Sequence, residues 1–523
     1  MNKIIDNFYH GYNKTVALAP KILVIALILF VVIYPDSAGK KLMAAQNWST
    51  ETFGGWYIYV SLFYVVCCLS LGLFNKTGKI KLGKENEHPE FTTLSWLSMM
   101  FGAGIGIGML TYSTAEPIFH FANNPDTITG VSSALKENNV RNAYKWAIFH
   151  YALHTWCIYG IIGISLAYFS YNRGMPLTIR SGLEPIFGKF MSGGLGNMTD
   201  IVSILATLVG LGVTIGYGVS QFSSGLFNIT GIEWLIDNEG RPSLTGQVFG
   251  LVLIMTISCV SAFTGIRKGI KWLSNINMGL SLLLLLFFVF FGATLFALEN
   301  FLVTIWDYVI SFPEMAISVW KNDGTEISSN LQKWQSAWSI FYWAWWIAFA
   351  PFVGLFLARV SRGRTIREYI MGAIFIPSLI SLFWFSFVGG TAIDLELSGV
   401  AQGAIVNADI SAQLFQTINL FMNPTMAISL SVLVVILLIT FLVTSADSGI
   451  LVMNTLASGG NTKKRELKHI IIWGLLFSIM IAVLLMAGGM DSLRSVMIIG
   501  ALPFSLILAL MPVALIKTIL QNR

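Results

Sequence analysis

Gly102-Ala103-Gly104-Ile105-Gly106-Ile107-Gly108 lies inside an apolar run spanning residues 92–116, and the reading of this stretch decides the fold. Each glycine weakens a helix by about 1 kcal/mol relative to alanine, so alternate glycines predict a loosened helix in the middle of the run. Backbone N–H and C=O groups freed inside a bilayer are tolerated only where they line a cavity or meet a ligand. Broken helices of this kind hold substrate and ions in secondary transporters. The spacing of Gly102 with Gly106, and of Gly104 with Gly108, also fits close helix packing of the GxxxG type. On the glycines alone the two readings stand level.

The surrounding chain settles the environment. Its 523 residues are 55% hydrophobic and 11% charged, against roughly 25% charged in a soluble domain. So little polar surface predicts one continuous membrane domain rather than several soluble ones. Crossing a bilayer takes about 20 apolar residues, and twelve segments qualify: 17–34, 55–74, 92–116, 143–170, 199–227, 245–265, 273–298, 333–358, 367–390, 425–448, 469–487 and 494–516. The first is read as a retained span rather than a cleaved signal, because eleven more follow. Runs this long predict helices, so the fold class is all-α integral membrane.

The net charge of +6 is a topology signal rather than a nucleic-acid signal. With the N-terminus inside, 23 of the 32 basic residues fall on the inner side. They are Lys3, Lys14 and Lys21; Lys76, Lys79, Lys81 and Lys84; Arg173, Arg180 and Lys189; Arg267, Lys268 and Lys271; Arg359, Arg362, Arg364 and Arg367; Lys463, Lys464, Arg465 and Lys468; and Lys517 and Arg523. This asymmetry places both termini in the cytoplasm. Residues 301–320 and 409–422 are apolar but interrupted, and are expected to lie along the outer face. The four cysteines sit in apolar runs without metal-ligand spacing, so disulfides and zinc sites are not expected.

Three further constellations carry chemistry. In the fourth segment, Tyr151 and Tyr159 lie about 80° apart on a helical wheel, with Trp156 to the side. In the eighth, Trp345, Trp346 and Phe349 fall within about 100°, followed by Pro351, expected to break the helix. Interfacial belts hold tryptophan at the membrane edge, whereas this cluster lies inside a span. Several rings together suit a quaternary ammonium group. In the tenth, Phe441 to Ser448 offers hydroxyls and carbonyls, hard ligands for an alkali cation. Thr444 and Ser445 also suit back-bonding to their own helix, and Asp447 suits either function or helix pairing. His150 and His154 have a metal-like i, i+4 spacing, with no third ligand evident. Segments 3–7 and 8–12 are equal and odd in number, which permits an inverted repeat.

Taken together, these runs resemble the betaine/carnitine/choline transporter family. Trp343 to Arg367, reading WAWWIAFAPFVGLFLARVSRGRTIR, carries most of the likeness; GMPLTIRSGLEPIFG at 174–188 and TAEP at 114–117 add to it. The resemblance implies a five-plus-five inverted repeat, with repeats at 92–298 and 333–516, two peripheral helices at 17–74 and an outer-face helix at 301–320. It implies an aromatic box of Tyr151, Trp156, Tyr159 and Trp346 around a trimethylammonium group, with Trp345 and Phe349 lining the approach. Family members usually carry Trp where Tyr151 and Phe349 stand. Choline-type members carry Asp where this chain has Gly108, so a zwitterion is expected, its anionic head on the amides of Gly104, Gly106 and Gly108 at a half-helix end.

The resemblance also implies a sodium site from the carbonyls of Gly102, Ile105 and Phe441 and the hydroxyls of Thr444 and Ser445. A second would use Thr207 and Phe352, but Leu211 replaces its other threonine and Thr214 would substitute only with rearrangement. No Arg occurs in 201–227, where sodium-independent exchangers of the family carry one. The expected activity is sodium-coupled symport of a small zwitterion such as glycine betaine through the cell membrane, with no enzymatic step, no organic cofactor and no nucleic acid. The alternative is a sodium-independent exchanger or proton-coupled carrier of carnitine, choline, sulfonium or sulfonate compounds. A homotrimer through 301–320 and constitutive uptake, from the short tails, complete the expectation.

Overall fold

The structure, a computed structural model, describes residues 7–104, 106–264, 267–461 and 466–521. Outside that set lie Ile105 and, among the basic residues assigned to the inner side, Lys3, Lys463, Lys464, Arg465 and Arg523. Among the described residues the chain is helical between short connections, with isolated β-bridges and no strand. A chain this apolar has no water to satisfy its backbone inside a bilayer, and helices pair those groups internally.

In chain order the long helices are α1 (Lys14–Ile33), α2 (Pro35–Leu73), α3 (Thr93–Gly104), α4 (Gly106–Ala122), α5 (Val140–Tyr151), α6 (Leu153–Ala167) and α7 (Gly194–Thr230). They continue with α8 (Leu244–Thr264), α9 (Arg267–Phe291), α10 (Thr294–Ile317) and α11 (Phe341–Val360). The last three are α12 (Ile366–Leu397), α13 (Pro424–Ala457) and α14 (Leu467–Gln521). Among the described residues, ten helical stretches are long and apolar enough to cross a membrane by length and composition. The third expected segment is helical on either side of Ile105, as α3 and α4, and within α14 the eleventh and twelfth are two helices that meet at a non-helical joint. That joint turns at Gly488 and Gly489, where Gly489 has φ 63° and ψ −146°, a conformation open in practice to glycine alone.

Several expectations are corrected. The described glycines of 102–108 are helical, in α3 or α4, so the predicted loosening is absent from them. Pro351 does not break its helix: α11 runs through it to Val360. The seventh segment ends at Phe291 rather than 298, and the apolar helix after it is Thr294–Ile317 rather than 301–320. Gly292 and Ala293 part the two helices, and Thr391 Oγ1 accepts the Ala293 N–H. The 409–422 stretch holds the helix Gln413–Phe421.

A break that the sequence did not announce separates α5 from α6 at Ala152, whose φ of −99° and ψ of −123° are not helical. It frees the His150 carbonyl, which accepts from Thr155 Oγ1 at 2.6 Å and Trp346 Nε1 at 3.0 Å. The Leu153 N–H is met by the hydroxyl of Tyr308 from α10 at 3.3 Å. Inside a bilayer such substitutes are what make a break tolerable.

α11 packs against both α6 and α7. A Cβ built at Gly210 of α7 would stand 2.9 Å from the backbone of Ala348 and Phe349, and backbone cannot swing aside. Gly210→Ala is therefore expected to destabilise the fold by roughly 1–3 kcal/mol and to push Phe349 away. The check is a lowered melting temperature of the purified protein; an unchanged value would contradict this packing.

Candidate functional site

The residues expected to form an aromatic box come together at the α5–α6 break. Trp346 is 2% exposed, and Tyr151, Trp156 and Tyr159 are fully buried. The rings of Tyr151 and Tyr159 meet Trp346 edge-on at 5.5 and 6.1 Å, and Trp156 meets Tyr159 at 6.0 Å. Trp345 stacks on Trp346 at 5.0 Å, and Phe349 lies 6.3 Å from Tyr159. The Tyr151 hydroxyl donates to the Gly108 carbonyl at 3.4 Å, tying the rings to the glycine run of α4. Trp156 Nε1 and the Tyr159 hydroxyl have no hydrogen-bond partner among the described residues. Buried donors left unpaired are costly, which suits a face that meets a polar ligand.

The amide-nest role expected of Gly104, Gly106 and Gly108 is not seen in the backbone. Gly104 is helical in α3, and Gly106 and Gly108 are helical in α4. Gly106 instead admits a close neighbour, for a methyl group there would run into the ring of Phe441. This brings α4 against α13 at the level of the residues expected to bind sodium. The Thr444 hydroxyl donates to the carbonyls of Thr440 and Phe441 at 3.0 Å each. A hydroxyl that donates backwards in this way keeps its lone pairs free to accept a cation. Ser445 lies beside it, half-buried. Of the other expected ligands, Gly102 is helical in α3, and Ile105 lies outside the described residues.

For the second ion position, Thr207 donates to the Ser203 carbonyl at 2.8 Å, and Phe352 is buried on α11 against Phe349. The Thr214 hydroxyl donates to the Gly210 carbonyl and accepts from Trp345 Nε1, each at 3.1 Å, which leaves it one open lone pair. Asp447 accepts from Ser261 Oγ at 2.5 Å and pairs α13 with α8.

A polar set that sequence reasoning passed over adjoins the box. Glu116 of α4 is fully buried. Its Oε1 lies 2.5 Å from His150 Nδ1 and 3.2 Å from His120 Nε2, and its Oε2 accepts from the Tyr342 hydroxyl at 2.5 Å. His150 Nε2 is 2.9 Å from Ser339 Oγ. The Tyr342 hydroxyl also lies 3.3 Å from that of Tyr151, and its ring stacks on Trp346 at 5.5 Å. His154 takes no part in this set; its ring stacks on Trp343 at 4.4 Å.

Comparison with known proteins places this architecture. Residues 15–523 match the family described as "BCCT, betaine/carnitine/choline family transporter". The chain belongs to the betaine/carnitine/choline transporter family. It is 37% identical to the glycine betaine transporter OpuD of Bacillus subtilis over 95% of this chain and 93% of that one. It is 34% identical to a glycine betaine transporter of Acinetobacter baylyi, over 95% of this chain and 72% of that protein. With the osmo-independent choline transporter BetT1 of the same organism it shares 36% identity, over 94% and 91% of the two chains.

The protein is thus a multi-pass membrane transporter and not an enzyme. Within this betaine/carnitine/choline family transporter, the sequence signal for the missed set was present. Glu116 ends the third apolar segment, and an intramembrane carboxylate is a functional candidate by default. His120 stands one turn further along the same helix, but His150 and Tyr342 come from two other stretches of chain, which only the fold could bring to it.

Proposed function

We propose that the protein is a sodium-coupled symporter carrying a small zwitterion such as glycine betaine into the cell. The observation that carries this reading is the buried cluster of Tyr151, Tyr159, Trp156 and Trp346 with two unpaired donors at its wall. Desolvated ring faces attract a cation by about 2 kcal/mol, and the unpaired N–H and O–H suit the anionic end of the same molecule. Two relatives named for glycine betaine support the substrate class. The cytoplasmic termini, the cell membrane and the five-plus-five repeat belong to this proposal. So does a homotrimer, supported by the bare apolar face of α10, where Leu295 is 83% and Trp306 65% exposed.

The test is uptake of labelled glycine betaine into proteoliposomes. An inward sodium gradient is expected to raise the initial rate at least about tenfold, roughly 1.4 kcal/mol off the barrier. Equal rates in sodium and potassium would defeat the coupling. A second reading, carriage of a bare cation such as choline with protons or by exchange, is favoured by the Glu116 carboxylate one tyrosine from the box and by the likeness to BetT1. Competition separates the two: choline displacing labelled betaine at equal concentration would favour the second.

A further inference from the structure

The Glu116 set has a property that a structural clamp does not need: it can gain or lose a proton without losing a hydrogen bond. In its proton-poor form the carboxylate accepts from Tyr342, from His120 Nε2 and from His150 Nδ1, while the Ser339 hydroxyl turns to donate to His150 Nε2. With one more proton, His150 carries both N–H groups, donating to Glu116 on one side and to Ser339 on the other. The contacts that permit both are the 2.5, 3.2, 2.5 and 2.9 Å separations around the two residues. A hydroxyl is donor and acceptor alike, and an imidazole changes role with its proton, so only Ser339 need rotate.

A metal ion does not fit the same atoms. Two ligands each about 2.0–2.2 Å from a tetrahedral ion stand roughly 3.3 Å apart, and the 2.5 Å between Glu116 Oε1 and His150 Nδ1 is a hydrogen-bond distance. Ionisable groups this deep in a membrane protein are costly and mark ion or proton sites by default.

The set touches the box twice. The Tyr342 hydroxyl bridges Glu116 and Tyr151, and Trp346 Nε1 donates to the carbonyl of His150 itself. A cation seated among these rings is attracted to the proton-poor, anionic form and repelled by an added proton. Other ionisable groups act on the set or on its tyrosines: Tyr112 from α4, Tyr151 from α5, His154 from α6, Tyr217 from α7, and Arg494 from α14. The Arg494 guanidinium is held over the Phe341 ring at 4.3 Å and bonded to the Ala337 carbonyl. Asp491 lies 4.0 Å from it and offsets part of its charge.

We propose that Glu116, His150 and Ser339 form a proton-binding site linked to the aromatic box, so that seating a quaternary ammonium group in the box releases a proton to solvent. This rests on the reading of the box as the cation seat. By reciprocity of linkage, added protons then weaken substrate binding by the same factor.

The test is calorimetric titration of glycine betaine into the purified full chain at saturating sodium, in pairs of buffers of equal pH and different ionisation enthalpy. The expected result is a buffer-dependent heat, reporting up to one proton released per betaine, that disappears in Glu116→Gln. Ser339→Ala keeps every ionisable group and removes only the reversible hydroxyl; it is expected to reduce the same dependence, and an unchanged dependence in this variant would exclude Ser339 from the site. Saturable betaine binding with buffer-independent heat at every pH would overturn the linkage and leave the box intact. Absence of betaine heat strikes the box instead, and the proton site is then read from infrared difference spectra between acid and alkaline buffer. A carboxyl or imidazolium signal lost in Glu116→Gln sustains the site, and no such signal in the wild type overturns it.

Discussion

Replacing Trp346 with alanine is expected to weaken glycine betaine binding by at least about 30-fold, the equivalent of roughly 2 kcal/mol. The indole is the common wall of the site: Tyr151 and Tyr159 meet it edge-on, and Trp345 and Tyr342 stack on it. Its removal deletes the best cation-attracting face and leaves the His150 carbonyl with one donor fewer. Trp346→Phe separates these effects. It keeps a ring and loses the N–H, so it should restore part of the affinity while the carbonyl stays short of a partner. The measurement is the betaine-induced rise in melting temperature, which tracks RT ln(1 + [L]/Kd). A full shift retained in Trp346→Ala would remove the box as the cation seat.

The part of this arrangement that lies within one helix was legible in the sequence, whereas the wheel placing Tyr151 and Tyr159 on one helical face runs across the break at Ala152. Trp345, Trp346 and Phe349 share a face by helical spacing alone, and they do converge with Tyr151 and Tyr159. What could not be read depends on contacts between distant segments. Glu116 and His120 are one helical turn apart, but His150 and Tyr342 lie 34 and 226 residues from Glu116 along the chain, and no periodicity joins them to it. The break at Ala152 carries no glycine or proline to mark it; it persists because Trp346, Thr155 and Tyr308 bond the freed backbone. The opposite error arose at Pro351, where a strong local signal was overruled. Proline removes one N–H and clashes one turn back, a cost that α11 absorbs within its wholly buried first four turns.

Thr444→Ala combined with Ser445→Ala is expected to abolish sodium stimulation of uptake, a loss of at least about tenfold in initial rate under a sodium gradient. The argument runs through hydroxyl chemistry. Thr444 commits its proton to the carbonyls of Thr440 and Phe441, so its oxygen presents lone pairs only, as a hard cation requires. Phe441 lies against Gly106, so α4 closes over this turn of α13. Alanine at both positions leaves the helix intact, since neither hydroxyl caps an end of α13. Betaine binding measured without sodium should therefore survive while its enhancement by sodium vanishes, a split that general misfolding cannot produce. Thr207→Ala supplies the contrast. Leu211 stands in place of a second hydroxyl there, and the Thr214 hydroxyl already accepts from Trp345, so this position is expected to be the weaker of the two. Its loss should change the sodium dependence by less than about twofold, below 0.5 kcal/mol. A larger effect in Thr207→Ala than in the double variant would move the coupling ion from α13 to α7.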